Sequence, residues 1–366
     1  MDVRDFDFDL PAELIAQEPI ADRTSARLLA VDRATGTLTH AHVTALPELL
    51  RAGDLIVVNN TKVFPARLLG HRVPSGGAVE CLLVTRQPSN THRMHFGSTS
   101  DAESDAVEQT WEALMHPGQK LHPGARVTFA GIHPIYGEVL DQKFFGRRLI
   151  RLWTEDGTPL SDAIDAIGHV PLPPYIKRDD RSADRDRYQT VFARARGSVA
   201  APTAGLHFTP DLIAALADRG IERAEITLHV GYGTFQPVRV DRVEDHRIEA
   251  ERYEVSDATA GAVNRALADR RRVIAVGTTT TRTLEAVGYA HDGRLVAGSG
   301  TTDLFIYPGF EFRIVSGLLT NFHMPKSSLL MLVSAFAGRT LVRSAYDAAV
   351  AARYRFYSYG DAMLIL

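Results

Sequence analysis

The feature that most constrains the fold is a change of texture part-way along the chain. From Val63 to about Thr154, short β-prone runs recur at residues 66–70, 79–84, 126–129, 136–140 and 147–152, separated by Gly and Pro and without a helical period. On either side, helix-like and strand-like segments alternate. Before the change, Pro11 opens a predicted helix over 12–17, residues 28–32 read as a strand, and 34–37 as a turn. Within 53–61, Leu55-Ile56-Val57-Val58 is an unbroken apolar run, which predicts a strand buried on both faces, as in a parallel sheet. After Pro159 come an amphipathic helix over 210–219 capped by Thr209 and stopped by Gly220, a strand at 225–230, a helix at 258–270, a strand at 273–276 and a buried helix at 327–338. The expected fold class is α/β: a layered α/β main domain, residues 1–62 and 155–366, interrupted by a small all-β insertion domain, residues 63–154, barrel-like or a sandwich. The polar stretch 87–109, with its acidic cluster 101–105, reads as a mobile loop of the small domain.

Composition sets the bounds. The chain has 366 residues, more than one ordinary domain holds, with 45% hydrophobic and 23% charged residues. A formal charge of −3 supplies no global attraction for nucleic acid, so RNA binding requires a local basic patch. The single cysteine, Cys81, rules out an intrachain disulfide and a cysteine-rich zinc site, and its apolar run reads as buried strand. The acidic N-terminus has no apolar targeting core, and no apolar run reaches membrane-spanning length. A cytoplasmic protein without membrane contact is expected.

Chemistry-bearing residues gather in a few segments. Thr302–Phe310 and Leu319–Ser328 each read as a strand-like apolar run ending in polar groups: Asp303, Tyr307, Asn321, His323 and Lys326. A core needs none of these groups, and turns account for only part of them. Val276-Gly277 followed by Thr278–Thr281 and Arg282 reads as strand, turn and helix start, where amides and Thr hydroxyls bind anions and Arg282 grips a carboxylate. It lacks the Lys of a phosphate loop and the glycines of a dinucleotide fingerprint. Ala200–Thr209 packs small residues, with Thr203 and Gly205, around His207, a candidate base or hydrogen-bond donor. His229, the Gly-rich turn after it, His246 and Glu251 suit acid–base work better than a metal, since zinc-ligand spacing is missing. Pro171–Arg178 is stiff and ends in Lys177 and Arg178. With Tyr175, Tyr188 and the arginines of 181–187, it suits phosphate contact and base stacking on a single-stranded RNA loop.

Taken in order, Glu18-Pro19-Ile20 with Arg23, Arg27-Leu28-Leu29, Gly53-Asp54-Leu55, Pro171–Ile176, Tyr188–Val191, Ala201–Thr209, the two C-terminal segments and Tyr354–Met363 resemble the S-adenosylmethionine:tRNA ribosyltransferase-isomerase family of queuosine biosynthesis. The resemblance implies transfer of the ribosyl part of S-adenosylmethionine to 7-aminomethyl-7-deazaguanine at the tRNA wobble position, with release of adenine and methionine. It implies S-adenosylmethionine as a consumed co-substrate with no resident cofactor or metal, a tRNA anticodon loop as partner, and a monomer. It assigns His207 or His246 as base, Asp303 and His323 to proton transfer and the adenine, Arg282 with Thr279 to the methionyl carboxylate, and Lys177, Arg178 and Lys326 to RNA phosphate. Thr203, Gly205, His229, Tyr307 and Asn321 complete the expected substrate contacts. Asn60 stands where the family often has an acid, and Glu249 where it often has a His. Two rivals predict different behaviour: a related transferase with a non-tRNA acceptor binds no tRNA, and a non-catalytic RNA-binding protein releases no adenine.

Overall fold

The computed structural model describes residues 1–87, 106–235 and 238–366. The predicted loop at 87–109 falls largely outside them. Two compact units are present: one of Met1–Val63, Pro173–Asp179 and Asp186–Leu366, the other of Phe64–Leu172 and Asp180–Arg185.

The larger unit begins with β1 (Arg27–Val31), β2 (Leu38–His42), β3 (Leu55–Asn59) and the short β4 (Thr61–Val63). The smaller unit is a closed barrel of β5 (Arg67–Val73), β6 (Ala78–Arg86), β7 (Glu108–His116), β8 (Arg126–Phe129), β9 (Ile135–Gln142) and β10 (Arg147–Trp153). Every pairing in the barrel is antiparallel. Of the two expected small-domain architectures, the barrel forms and the sandwich does not. The period of 2 is plain in β6, where Val79, Cys81 and Leu83 are buried, and in β10, where Ile150 and Leu152 are. Gly137 faces inward, where an added Cβ would stand 2.8 Å from Leu152, so the interior is packed solid. Burial raises the Cys81 thiol far above its ordinary range, which fits an inert core residue. β7 is the barrel strand that pattern reading missed. Within it only Ala113 and Met115 are fully buried, so its alternation is faint in the sequence.

The larger unit continues with β11 (Ala195–Ser198), β12 (Glu222–Leu228), β13 (Glu251–Val255), β14 (Val273–Val276), β15 (Gly298–Thr302), β16 (Gly317–Asn321) and β17 (Ala362–Ile365). Nine of its strands form one sheet in the order β15-β13-β12-β3-β14-β16-β17-β1-β2. β12, β3, β14 and β16 run parallel at its centre. Their side chains alternate between two cores: Leu55, Val57, Val273, Ala275 and Leu318 enter one, and Ile56, Val58, Ile274, Val276 and Leu319 the other. All five residues of β3 are buried, as its unbroken apolar run implies.

Two expectations fail for tertiary reasons. Residues 12–17 form only a short 3-10 turn, Ala12–Leu14, because the backbone of Leu14 and Ala16 pairs instead with Phe356. Residues 303–310 are not strand, since β15 lies at the sheet edge and ends at Thr302. Beyond it, the Leu304 carbonyl accepts from Arg282 Nε rather than from a ladder partner. The helices over Pro210–Asp218, Asp257–Ala268 and Ser328–Ala337 form as expected, with Thr209 Oγ1 capping the first.

Candidate functional site

The four central strands being parallel, their C-terminal ends open on one edge of the sheet, where ligand sites of open α/β sheets form. A cavity of about 250 Å³ lies at this edge. Val230 enters it just beyond β12, Gly277, Thr278 and Thr279 beyond β14, Thr320 and Asn321 at the end of β16, and Phe322 to Ser328 beyond β16. Tyr357 and Ser358 approach before β17, which runs antiparallel to β16. Ala200, Ala201, Thr203 and Ala204 close one side, so the small residues of that segment stand where a ligand can approach closely.

Of the residues singled out from sequence, Thr203, Thr279, Asn321, His323 and Lys326 line this cavity. Gly277 has φ +91° and no side chain to cap the helix Thr278–Ala290, which leaves the helix N-terminus uncapped at the cavity wall. The Thr run divides in two. Thr280, Thr281 and Thr283 bond back to the carbonyls of Val276, Gly277 and Thr279 at 2.8, 3.1 and 3.2 Å, so their hydroxyls serve the helix itself. Thr278 and Thr279 remain at the cavity.

The histidines are not equivalent. His323 is buried, pairs through Nε2 with Thr320 Oγ1 at 2.8 Å, and is pushed down to about 3 by desolvation. His207 is buried beside Asn321, and its Nε2 lies outside hydrogen-bonding geometry with any group among the described residues. Burial lowers it to about 4, against the opposing pull of Asp361 and Asn321. His229 pairs with Thr61 Oγ1 at 2.9 Å and is lowered to about 4, again by burial. His246 is only half-buried, edge-on to Phe305 with ring centroids 5.0 Å apart, and shifted down by desolvation. It lines a second, smaller cavity with Arg282, Glu249 and Phe305, and this cavity shares Ser328 and Leu329 with the larger one.

Arg282 is buried against Glu251, and its guanidinium also donates to the carbonyls of Leu304 and Thr302. The carboxylate its fork holds is thus an internal one. Asp303 is exposed and lines neither cavity, and Tyr307 packs on Phe305 at 5.2 Å. Gly205 is buried where a Cβ would meet Thr190 Cγ2 at 2.9 Å, a packing requirement within the protein. Lys177 is exposed, Arg178 pairs with Glu18 at 2.9 Å, and Lys326 Nζ lies 2.7 Å from Asp7. Asn60 is buried and internally bonded, accepting from Thr227 and donating to Glu225. Among the described residues, no group of three or more His, Cys, Asp or Glu is arranged to hold a metal, and no helix is long and apolar enough to cross a membrane.

Tyr188 overturns one expectation. Expected to stack on RNA from the surface, it is fully buried and faces the cavity. Tyr175 lines the same wall, its hydroxyl 2.6 Å from Ser358 Oγ and its ring centroid 4.7 Å from that of Tyr357. Pattern reading did not assign Tyr357 or Ser358 to the site. The signal available was the density of aromatics over 354–359 in a segment with no strand period.

The chain matches the family described as queuosine biosynthesis protein over residues 3–365. It is 48% identical to the S-adenosylmethionine:tRNA ribosyltransferase-isomerase of Desulfitobacterium hafniense over 366 residues, covering 100% of both chains. It is likewise 48% identical to that of Geobacter metallireducens over 368 residues, with 100% of both covered. Among solved structures, it is similar to the S-adenosylmethionine tRNA ribosyltransferase of Thermotoga maritima, with a TM-score of 0.54 and 35% identity, covering 99% of this chain and 100% of that one.

Proposed function

The chain belongs to the queuosine biosynthesis family of S-adenosylmethionine:tRNA ribosyltransferase-isomerases, and from that premise we propose that it moves the ribosyl moiety of S-adenosylmethionine onto 7-aminomethyl-7-deazaguanine at the tRNA wobble position. Adenine and methionine leave, and the product is epoxyqueuosine. The observation that carries the assignment of the site is the cavity at the carboxyl edge of the sheet. It collects Thr203, Thr279, Asn321, His323 and Lys326 around an uncapped helix N-terminus.

The residue roles follow from environment. The first turn of Thr278–Ala290, with Thr279, suits the methionyl carboxylate, because a helix N-terminus favours an anion. The sulfonium acidifies the carbon beside it, and a base removes that proton. Among the candidate histidines, His246 is the least buried and its cavity adjoins the main one, with Glu249 nearby. His207 and His323, lowered to about 4 and about 3, are weaker bases at neutral pH and serve as neutral hydrogen-bonding groups. Arg282, held by Glu251, backs the His246 cavity. Lys177, Arg178 and Lys326 contact RNA phosphate, the last by exchanging Asp7 for a phosphate. S-adenosylmethionine is a consumed co-substrate, no resident cofactor or metal takes part, and the enzyme works as a cytoplasmic monomer.

Chromatographic detection of adenine released from S-adenosylmethionine, with and without tRNA carrying 7-aminomethyl-7-deazaguanine, tests this reading. Release that depends on the modified tRNA, with a matching mass gain on the wobble base, is expected. Release without tRNA, and no binding of tRNA, would move the assignment to a different acceptor.

A further inference from the structure

Among the described residues, two buried polar atoms at the main cavity lack a hydrogen-bond partner: the Tyr188 hydroxyl and Asn321 Oδ1. Tyr188 is 0% exposed and Asn321 2%. Such atoms are uncommon in a folded interior and point to a group that completes them. The Ser358 hydroxyl and the Ala201 backbone lie close to the Tyr188 hydroxyl but outside hydrogen-bonding geometry, and Ser358 Oγ is already engaged by Tyr175 at 2.6 Å. The other arm of Asn321 is fixed, Nδ2 donating to the Tyr357 carbonyl at 3.0 Å. His207 Nε2 lies beside the Asn321 side chain but outside hydrogen-bonding geometry, and Oδ1, with two lone pairs, keeps room to accept from a ligand whether or not His207 closes on it. Burial holds the Tyr188 phenol well above its ordinary pKa, so it stays protonated and able to donate.

A ligand that satisfies both atoms presents a donor to Asn321 and an acceptor to Tyr188. Tyr175 and Tyr357 line the same cavity, and Ala200, Ala201 and Ala204 leave room beside them. Aromatic walls with a donor–acceptor pair suit a planar base carrying an amino group next to a ring nitrogen. Ribose hydroxyls would satisfy the two atoms but leave the aromatic walls without a stacking partner.

We infer that Tyr188 and Asn321 read the amino edge of the adenine of S-adenosylmethionine, Asn321 Oδ1 accepting from the 6-amino group and the Tyr188 hydroxyl donating to a neighbouring ring nitrogen. This rests on the functional reading above and makes the two residues determinants of base specificity. A 6-oxo base turns an acceptor toward Asn321 Oδ1, leaving two buried acceptors opposed.

The test compares kcat/KM for base release from S-adenosylmethionine and from its 6-oxo counterpart, S-inosylmethionine, with modified tRNA present. Wild-type enzyme is expected to prefer the 6-amino substrate by about a hundredfold or more, since a site built to hydrogen-bond a group rejects the analogue lacking it. Asn321→Leu is expected to bring the ratio within about threefold, because the opposed acceptor is gone. Tyr188→Phe is expected to lower kcat/KM for S-adenosylmethionine about tenfold, the usual scale for one lost hydrogen bond. A wild-type ratio near one overturns the inference without a variant having to fold. So does a high ratio that Asn321→Leu leaves unchanged. Wild-type enzyme that releases no adenine from S-adenosylmethionine removes the functional reading itself, and this inference with it.

Discussion

Asn321 Nδ2 donates to the carbonyl of Tyr357 at 3.0 Å, joining the end of β16 to the turn before β17. The Tyr357 amide in turn donates to Phe322 O at 3.1 Å. Between these bonds Tyr357 is held at φ +72°, a left-handed conformation unfavourable for a side chain of that size. Lys326, on the same cavity, is also left-handed at φ +55°. The rim is thus built from backbone that the surrounding hydrogen bonds hold in place.

Removing that tie has a defined cost. Asn321→Ala leaves the Tyr357 carbonyl with the Gly360 amide alone, at 2.9 Å, and is expected to destabilise the fold by about 0.5–1.5 kcal/mol. Urea unfolding of variant and wild type measures it. An unchanged midpoint would show that the turn before β17 holds itself.

Arg282 and Glu251 form a buried pair, each side chain 5% exposed. Removing one partner strands a charge, so Arg282→Met is expected to cost about 3–5 kcal/mol. Arg282→Met combined with Glu251→Leu removes both charges and is expected to be more stable than the single variant. Denaturant midpoints of the three proteins decide this, and a double variant no better than the single one would refute the pair as the source of the loss.

Stability should fall with acid. His207 and His323 are lowered from 6.5 to about 4 and about 3, chiefly by desolvation. Both histidines then take up protons more readily in the unfolded chain than in the fold. Their contribution is complete above pH 6.5 and is lost as pH drops toward about 4 for His207 and about 3 for His323. The slope is about 1.4 kcal/mol per pH unit for each histidine inside its window. Urea unfolding followed from neutral pH to about pH 5 should show it, and His323→Gln should flatten the slope. An equal slope in wild type and variant would exclude His323 as a contributor.

If His246 is the base, His246→Ala should lower turnover at least about tenfold with the melting temperature little changed. Its half-buried ring packs edge-on against Phe305, so the fold has little to lose. Single-turnover adenine release measures the effect, and a near-normal rate would send the search for a base to Glu249, which lines the same small cavity.

Local pattern determined most of the scaffold here. The unbroken run of β3, the alternation of β6 and β10 and the Thr209 cap each express a short-range periodicity or hydrogen bond, and such signals survive in one dimension. The segments around Asn321, Thr279 and Thr203 were legible for a related reason, since polar and small residues directly after apolar runs mark strand ends. Tertiary structure alone decided which of those ends meet. The parallel order β12-β3-β14-β16 brings Val230, Gly277 and Asn321 to one edge, and no local signal encodes strand order. It also decided that Arg282 faces Glu251, that residues 12–17 pair with Phe356 instead of coiling, and that Tyr188 faces inward. Each of these depends on contacts between residues far apart in the chain, where burial and partner geometry outweigh local preference.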